Sequence, residues 1–166
     1  MSAIAFPLPI PVIPSPLSVF RGALRGLGAL LASLSDYAEK KILDHLTGKT
    51  AFTSPGPLYL ALCTVVPTDA DTGSTLTEGT FTGYARKQIP TADMTAAAGT
   101  AAEVHNSVQE QFAACTAGSS TFIGWALCDA LSAGNVIYWG TCASTVISVT
   151  QTPPTIAASA LSLTMD

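Results

Sequence analysis

Prolines occupy positions 7, 9, 11, 14 and 16 of this chain. Proline lacks a backbone N–H and holds φ near one value, so a segment this dense in it forms neither a helix nor an interior strand. The expectation is extended, polyproline-like chain that reaches roughly 50 Å over residues 1–17, at about 3.1 Å per residue. A solvated linker would carry polar residues between its prolines. This one carries Phe6, Leu8, Ile10, Val12 and Ile13, side chains that are costly to leave in water. Another polypeptide is therefore expected to shelter the leader.

Residues 18–34 read as an amphipathic helix. Leu17, Phe20, Leu24, Leu27, Leu31 and Leu34 recur at three- and four-residue steps, which places them on one stripe. Gly22, Gly26, Ala29 and Ser33 fall opposite, flanked by Arg21 and Arg25. Two arginines are few for membrane-surface binding, so the stripe is read as packing on protein. The predicted partner-binding set is Phe6, Leu8, Ile10, Val12, Ile13, Leu17, Phe20, Arg21, Leu24, Arg25, Leu27 and Leu31. A second helix is predicted over 36–47. Ser35 or Asp36 caps it, Glu39 completes a capping box, and Gly48 ends it. The chain thus divides into an arm, residues 1–34, and a domain, residues 35–166.

Beyond Phe52 the texture becomes short strands and turns. Leu58–Val66, Gly83–Ile89, Ala102–Phe112, Thr121–Asp129, Asn135–Cys142, Thr145–Thr150 and Ile156–Met165 are rich in β-branched and aromatic residues. Turn formers such as Ser54-Pro55-Gly56-Pro57, Asp71-Thr72-Gly73, Gly134-Asn135 and Pro153-Pro154 separate them. The predicted fold is mainly β, a jelly-roll-like antiparallel β-sandwich preceded by the arm and one or two short helices.

Composition bears on partners. Hydrophobic residues make up 48% of the chain and charged residues 11%, against about a quarter charged in an average globular protein. A surface so poor in charge suits an assembly subunit better than a solitary monomer. The net charge is −4, and no basic residue follows Lys87. Nucleic acid is not an expected partner, since a phosphate backbone is gripped by clustered Lys and Arg. No membrane partner is expected, because no apolar run reaches the length of a span and prolines interrupt the leader. Cys63, Cys115, Cys128 and Cys142 are widely spaced and lie in apolar stretches. They are read as free buried thiols of a protein made in reducing cytoplasm.

Residues with catalytic potential do not group. His45 and His105 are far apart on different elements, and no nucleophile-elbow sequence accompanies them. Asp69-Ala-Asp71-Thr-Gly73 with Glu78 falls short of a calcium loop at two ligand positions and reads as turn chemistry. Trp125, Tyr138 and Trp139 suggest a sugar platform less than they suggest sandwich core. No catalytic residue, metal site, cofactor or small-molecule substrate is predicted, and the chain is not read as an enzyme.

Several blocks carry a resemblance. Leu34-Ser-Asp-Tyr-Ala-Glu-Lys-Lys-Ile-Leu-Asp-His-Leu-Thr-Gly48, Pro57-Leu-Tyr-Leu-Ala-Leu-Cys-Thr64 and Gly83-Tyr-Ala-Arg86 are followed by Ile123-Gly-Trp-Ala-Leu-Cys-Asp-Ala130, Gly134-Asn-Val-Ile-Tyr-Trp-Gly140 and Ala160-Leu-Ser-Leu-Thr-Met-Asp166. In this order they resemble a family of small tailed-phage virion proteins, many described as tail fibre proteins and some as capsid cement. The resemblance spans residues 34–166 and implies a β-sandwich virion component without enzymatic activity. The arm departs from the family pattern. An apolar arm ahead of a compact domain leads to the expectation of a capsid cement or decoration protein on the outer surface of the capsid. Its expected partners are the major capsid protein and itself, as a dimer or trimer. The alternative expectation is a tail fibre or tail-tip subunit.

Overall fold

The computed structural model describes residues 31–100 and 102–165. The predicted arm contacts from Phe6 to Leu27, namely Phe6, Leu8, Ile10, Val12, Ile13, Leu17, Phe20, Arg21, Leu24, Arg25 and Leu27, lie outside the described residues, as does most of the helix predicted over 18–34. The last turn of that helix is corrected: Leu31–Leu34 is a strand, β1. It pairs antiparallel with a long strand, Leu31 opposite Thr141 and Leu34 opposite Tyr138. A leucine-rich stripe satisfies a helix and a sheet edge alike, and here the ladder of a neighbouring strand decides.

The helix α1 follows immediately, Asp36–Leu46. Ser35 caps it by accepting a hydrogen bond from the Ala38 N–H at 3.2 Å. The same hydroxyl donates to the Val136 carbonyl, so one fully buried serine ties the helix start to the sheet. Asp36 and Glu39 lie in the first turn, where the helix dipole favours negative charge.

The remaining strands are β2 (Leu58–Cys63), β3 (Lys87–Ile89), β4 (Val104–His105), β5 (Glu110–Gln111), β6 (Ser119–Cys128), β7 (Val136–Ser148), β8 (Thr155–Ile156) and β9 (Ser162–Leu163). The mainly β, antiparallel architecture agrees with the sequence reading. Its strands are distributed as a five-stranded sheet in the order β1-β7-β6-β2-β3 and two ladders, β4-β9 and β5-β8.

Period-two alternation sorts the side chains of the main sheet. Leu60, Leu62, Trp125 and Leu127 point to one face, where Phe112, Ile156, Leu161 and Leu163 from the region of the small ladders join them in the principal core. Each large side chain fully buried there stabilises the fold by about 1.5–3 kcal/mol. Ala61, Cys63, Ala126 and Cys128 point the other way and form a second, small-residue cluster with Val136. Short side chains on that face let covering segments approach the sheet closely. Helix α1 lies beside β7 and buries Ala38.

Two predicted strands, Asn135–Cys142 and Thr145–Thr150, are one element, β7. Gly124 faces Thr141 while Phe122 faces Thr145, so β7 carries extra residues at Cys142–Ser144 against β6. Such a bulge bends and twists the strand locally. Conversely, the predicted strands 102–112 and 156–165 each break in two. The reason lies at Asn106, described below.

Candidate functional site

The most heavily bonded polar feature lies at one end of the main sheet, where three loops meet. Arg86, just ahead of β3, is 6% exposed. Its Nε donates to Glu78 Oε1 at 3.0 Å, and Nη2 donates to the same oxygen at 2.7 Å. Nη2 also donates to the Gly73 carbonyl at 2.6 Å. Nη1 donates to the carbonyls of Ala130 and Ala133, both at 2.9 Å. A guanidinium has five N–H groups in a rigid fork, and all are engaged. The second oxygen of Glu78 accepts from the Tyr84 hydroxyl at 2.6 Å, which itself accepts from the Leu62 N–H at 3.0 Å.

The electrostatics follow from this arrangement. Burial and then the Glu78 carboxylate push the Tyr84 phenol well up, so it stays a donor. Burial works most strongly against the Arg86 charge, but the hydrogen bonds it donates to Glu78 and the acidic groups around it together outweigh that cost, leaving the group raised. Gly73 is required at this junction: a β-carbon there would stand 1.8 Å from the Ala133 oxygen. Gly134 closes the adjoining turn at φ +75°, and Asp129 fastens it by accepting from the Asn135 N–H at 2.7 Å. Above the network lies an open depression of about 530 Å³ whose wall includes Ser74, Leu76, Leu131 and Ser132. Its ionic floor is saturated from within. It gives the loop end a fixed shape and offers no free charge to a ligand.

A second node sits beneath the small ladders. Asn106 is fully buried. Its Oδ1 accepts from the Leu161 N–H at 2.9 Å, and its Nδ2 donates to the carbonyls of Val108 and Ala157 at 2.7 and 2.8 Å. The side chain thus replaces main-chain ladder bonds between β4 and β5, which is why strand 102–112 is interrupted. Nearby, Lys87 of β3 meets the buried carboxylate of Glu110 on β5 at 3.2 Å.

The residues weighed for chemistry are dispersed. Asp71 accepts from the Thr75 hydroxyl at 2.6 Å and from the Thr68 N–H and hydroxyl at 2.8 Å. Those bonds, Thr75 first, hold its carboxyl below the ordinary carboxylate value despite slight burial. Asp69 accepts from the Trp139 indole N–H at 2.8 Å. His45 Nδ1 accepts from the Phe52 N–H at 3.2 Å, while His105 lies in the β4-β9 ladder. Among the described residues, no group of three His, Cys, Asp or Glu is placed to hold a metal ion, and no helix is long and apolar enough to cross a membrane. Trp125 is core, and Trp139 belongs to the cluster on the opposite face from Trp125 and Tyr138. The aromatic trio forms no shared platform.

Cys63, Cys115 and Cys128 are buried free thiols, and Cys142 is half-buried and free. Burial pushes the Cys63 thiol far up and Cys128 up to about 11. Of the predicted docking residues, only Leu31 is described, as the first residue of β1. The Arg86–Glu78–Tyr84 network escaped the sequence reading. Its only signal was an arginine two residues after a tyrosine in a chain with seven Lys and Arg residues.

The protein-family comparison matches residues 33–164 to the podophage GP4 fiber I protein gp80 family. No curated protein sequence matches the chain. A mainly antiparallel domain whose buried charges are spent on fixing its own loops, matched over nearly its whole length to a fibre family, is a phage virion protein by class. The chain belongs to the podophage GP4 fiber I family, a family of phage tail fibre proteins.

Proposed function

We propose that this protein is a structural subunit of a tail fibre, held on the particle by its N-terminal leader, with its domain presented outward. The observation that carries the reading is where the family match begins. It starts at residue 33, within β1, and leaves the proline-rich apolar leader as an additional element suited to anchorage. The saturated network beneath the loop end supports a rigid, non-catalytic surface, and the reading includes no enzymatic activity, cofactor, nucleic acid or membrane partner. Self-association of the domain, as a dimer or trimer, belongs to the same proposal.

A second reading is capsid cement on the outer surface of the capsid, bridging major capsid proteins. The low charge of the chain favours it, because such a surface gains by being covered. Separating heads from tails and counting copies in each fraction by quantitative mass spectrometry discriminates the two. A fibre subunit partitions with tails at low copy number. Cement partitions with heads at high copy number, and that result would replace the first reading by the second.

A further inference from the structure

We propose that the depression at the loop end is a binding site for an uncharged saccharide. Its volume of about 530 Å³ falls among those of ligand sites, about 300–1,000 Å³. The charges beneath it are spent within the domain. Glu78 holds Arg86 with one oxygen and the Tyr84 hydroxyl with the other. In the adjoining turn, Asp129 accepts from Asn135 with both oxygens. An ionic ligand would meet no counter-charge here, whereas a neutral one forgoes nothing. What the wall presents instead is the hydroxyls of Ser74 and Ser132 and the side chains of Leu76 and Leu131. Both serines are exposed, and Leu131 is 57% exposed. A hydroxyl both donates and accepts, which matches it to sugar hydroxyls, and the leucines cover the C–H faces of the rings.

The construction of the wall argues against a peptide as occupant. Extended peptides add to an open sheet edge, and helical ones lie in a continuous apolar groove. This wall comes from segments 73–78, 84–86 and 131–133, all outside the strands of the sheet, and its leucines share it with two serines and a saturated ionic floor. The shape is also set before any ligand arrives. Arg86 binds the carbonyls of Gly73, Ala130 and Ala133, so the residues flanking Ser74 and Ser132 are already held together and binding costs little ordering. Strand β1 runs from Leu31 beside Thr141 to Leu34 beside Tyr138, toward the Val136 end of β7, where the 129–135 turn lies. The chain thus enters the domain heading for the loop end, which makes that end the leading pole of a domain anchored ahead of Leu31.

The inference rests on reading the domain as presented outward. The test needs no particle, so its failure and the failure of that reading are separate events. The full chain is applied to an array of neutral and anionic bacterial oligosaccharides, printed beside an array of peptides. It should be retained on neutral oligosaccharides, and high salt should leave that retention unchanged, because no ion pair is involved. Ser74→Ala combined with Ser132→Ala should weaken retention about ten-fold or more, and Leu131→Asp should weaken it likewise. All three side chains are exposed, so the variants should melt with the parent protein. Failure to retain any neutral oligosaccharide overturns the proposal, as does binding confined to anionic ones or retention that the variants leave untouched. Retention on peptides that the same variants abolish also overturns it, since that assigns the depression to a protein partner.

Discussion

Replacing Arg86 by methionine probes the loop end directly. The change keeps an unbranched side chain of similar length and removes all five donors. It strands the carbonyls of Gly73, Ala130 and Ala133 and leaves the Glu78 carboxylate with only the Tyr84 hydroxyl. Removing one partner of a buried ion pair costs about 3–5 kcal/mol. The Glu78 side chain is 20% exposed and borders the open depression, so the lower end of that range applies. With a urea dependence of about 1–3 kcal/mol/M, the unfolding midpoint falls by about 1 M or more. Tryptophan fluorescence reports the transition, because Trp125 leaves the core on unfolding. Glu78→Gln alone destabilises too, since it leaves the guanidinium underpaired. The double substitution costs less than the sum, because each single change already breaks the shared bonds. An R86M midpoint equal to that of the parent protein, or additivity of the two changes, would refute the reasoning.

Three other outcomes follow from the same structure. Asn106→Leu removes the bonds to Leu161, Val108 and Ala157 while keeping the branching and heavy-atom count of the side chain, and should cost about 3 kcal/mol or more in urea unfolding, at about 1–3 kcal/mol for each buried group left unsatisfied; an unchanged midpoint would mean that the small ladders do not need the asparagine. The pKa of Asp71 is lowered in the folded protein, so its bonds stabilise the 68–75 loop above the ordinary carboxylate range and are lost as pH falls through the lower folded value. The Thr68 amide resonance should titrate with a midpoint below 3.8 and stop titrating in Asp71→Asn; a midpoint above that value contradicts the assignment. For the thiols, burial holds Cys63 and Cys128 protonated, so a thiol reagent at pH 8 should modify half-buried Cys142 first and reach Cys63 and Cys128 only on unfolding. Rapid native labelling of either buried thiol would show that the second cluster is open to solvent.

The strand pattern of the domain was readable because each face of the sheet needs its own side chains. Leu60 and Leu62 against Ala61 and Cys63 announce a strand buried on both faces, and Ser35 with Glu39 announces a capped helix. Readability failed where one residue's partners lie far along the chain. Glu78, Arg86 and the carbonyls they meet are brought together by three separate loops, and no local spacing marks them. Asn106 looks like any turn residue until its amide is seen standing in for a ladder. The helix reading failed over Leu31–Leu34 for a related reason. Leucines at three- and four-residue steps also satisfy a strand once β7 supplies hydrogen bonds on one side, and periodicity cannot weigh a partner over a hundred residues away. Folding the segment into the sheet moves the start of the domain back into the predicted arm.

Anchorage by the apolar leader is tested most directly on the particle itself. Phe6, Leu8, Ile10 and Val12 can each be replaced by serine in the full chain, and the copies per purified particle counted by quantitative mass spectrometry. Burying four such side chains is worth about 1.5–3 kcal/mol each, and about 1.4 kcal/mol is a tenfold change in affinity. An anchoring leader yields a variant whose domain melts as before and which is nearly absent from particles. Incorporation at the parent level would contradict it.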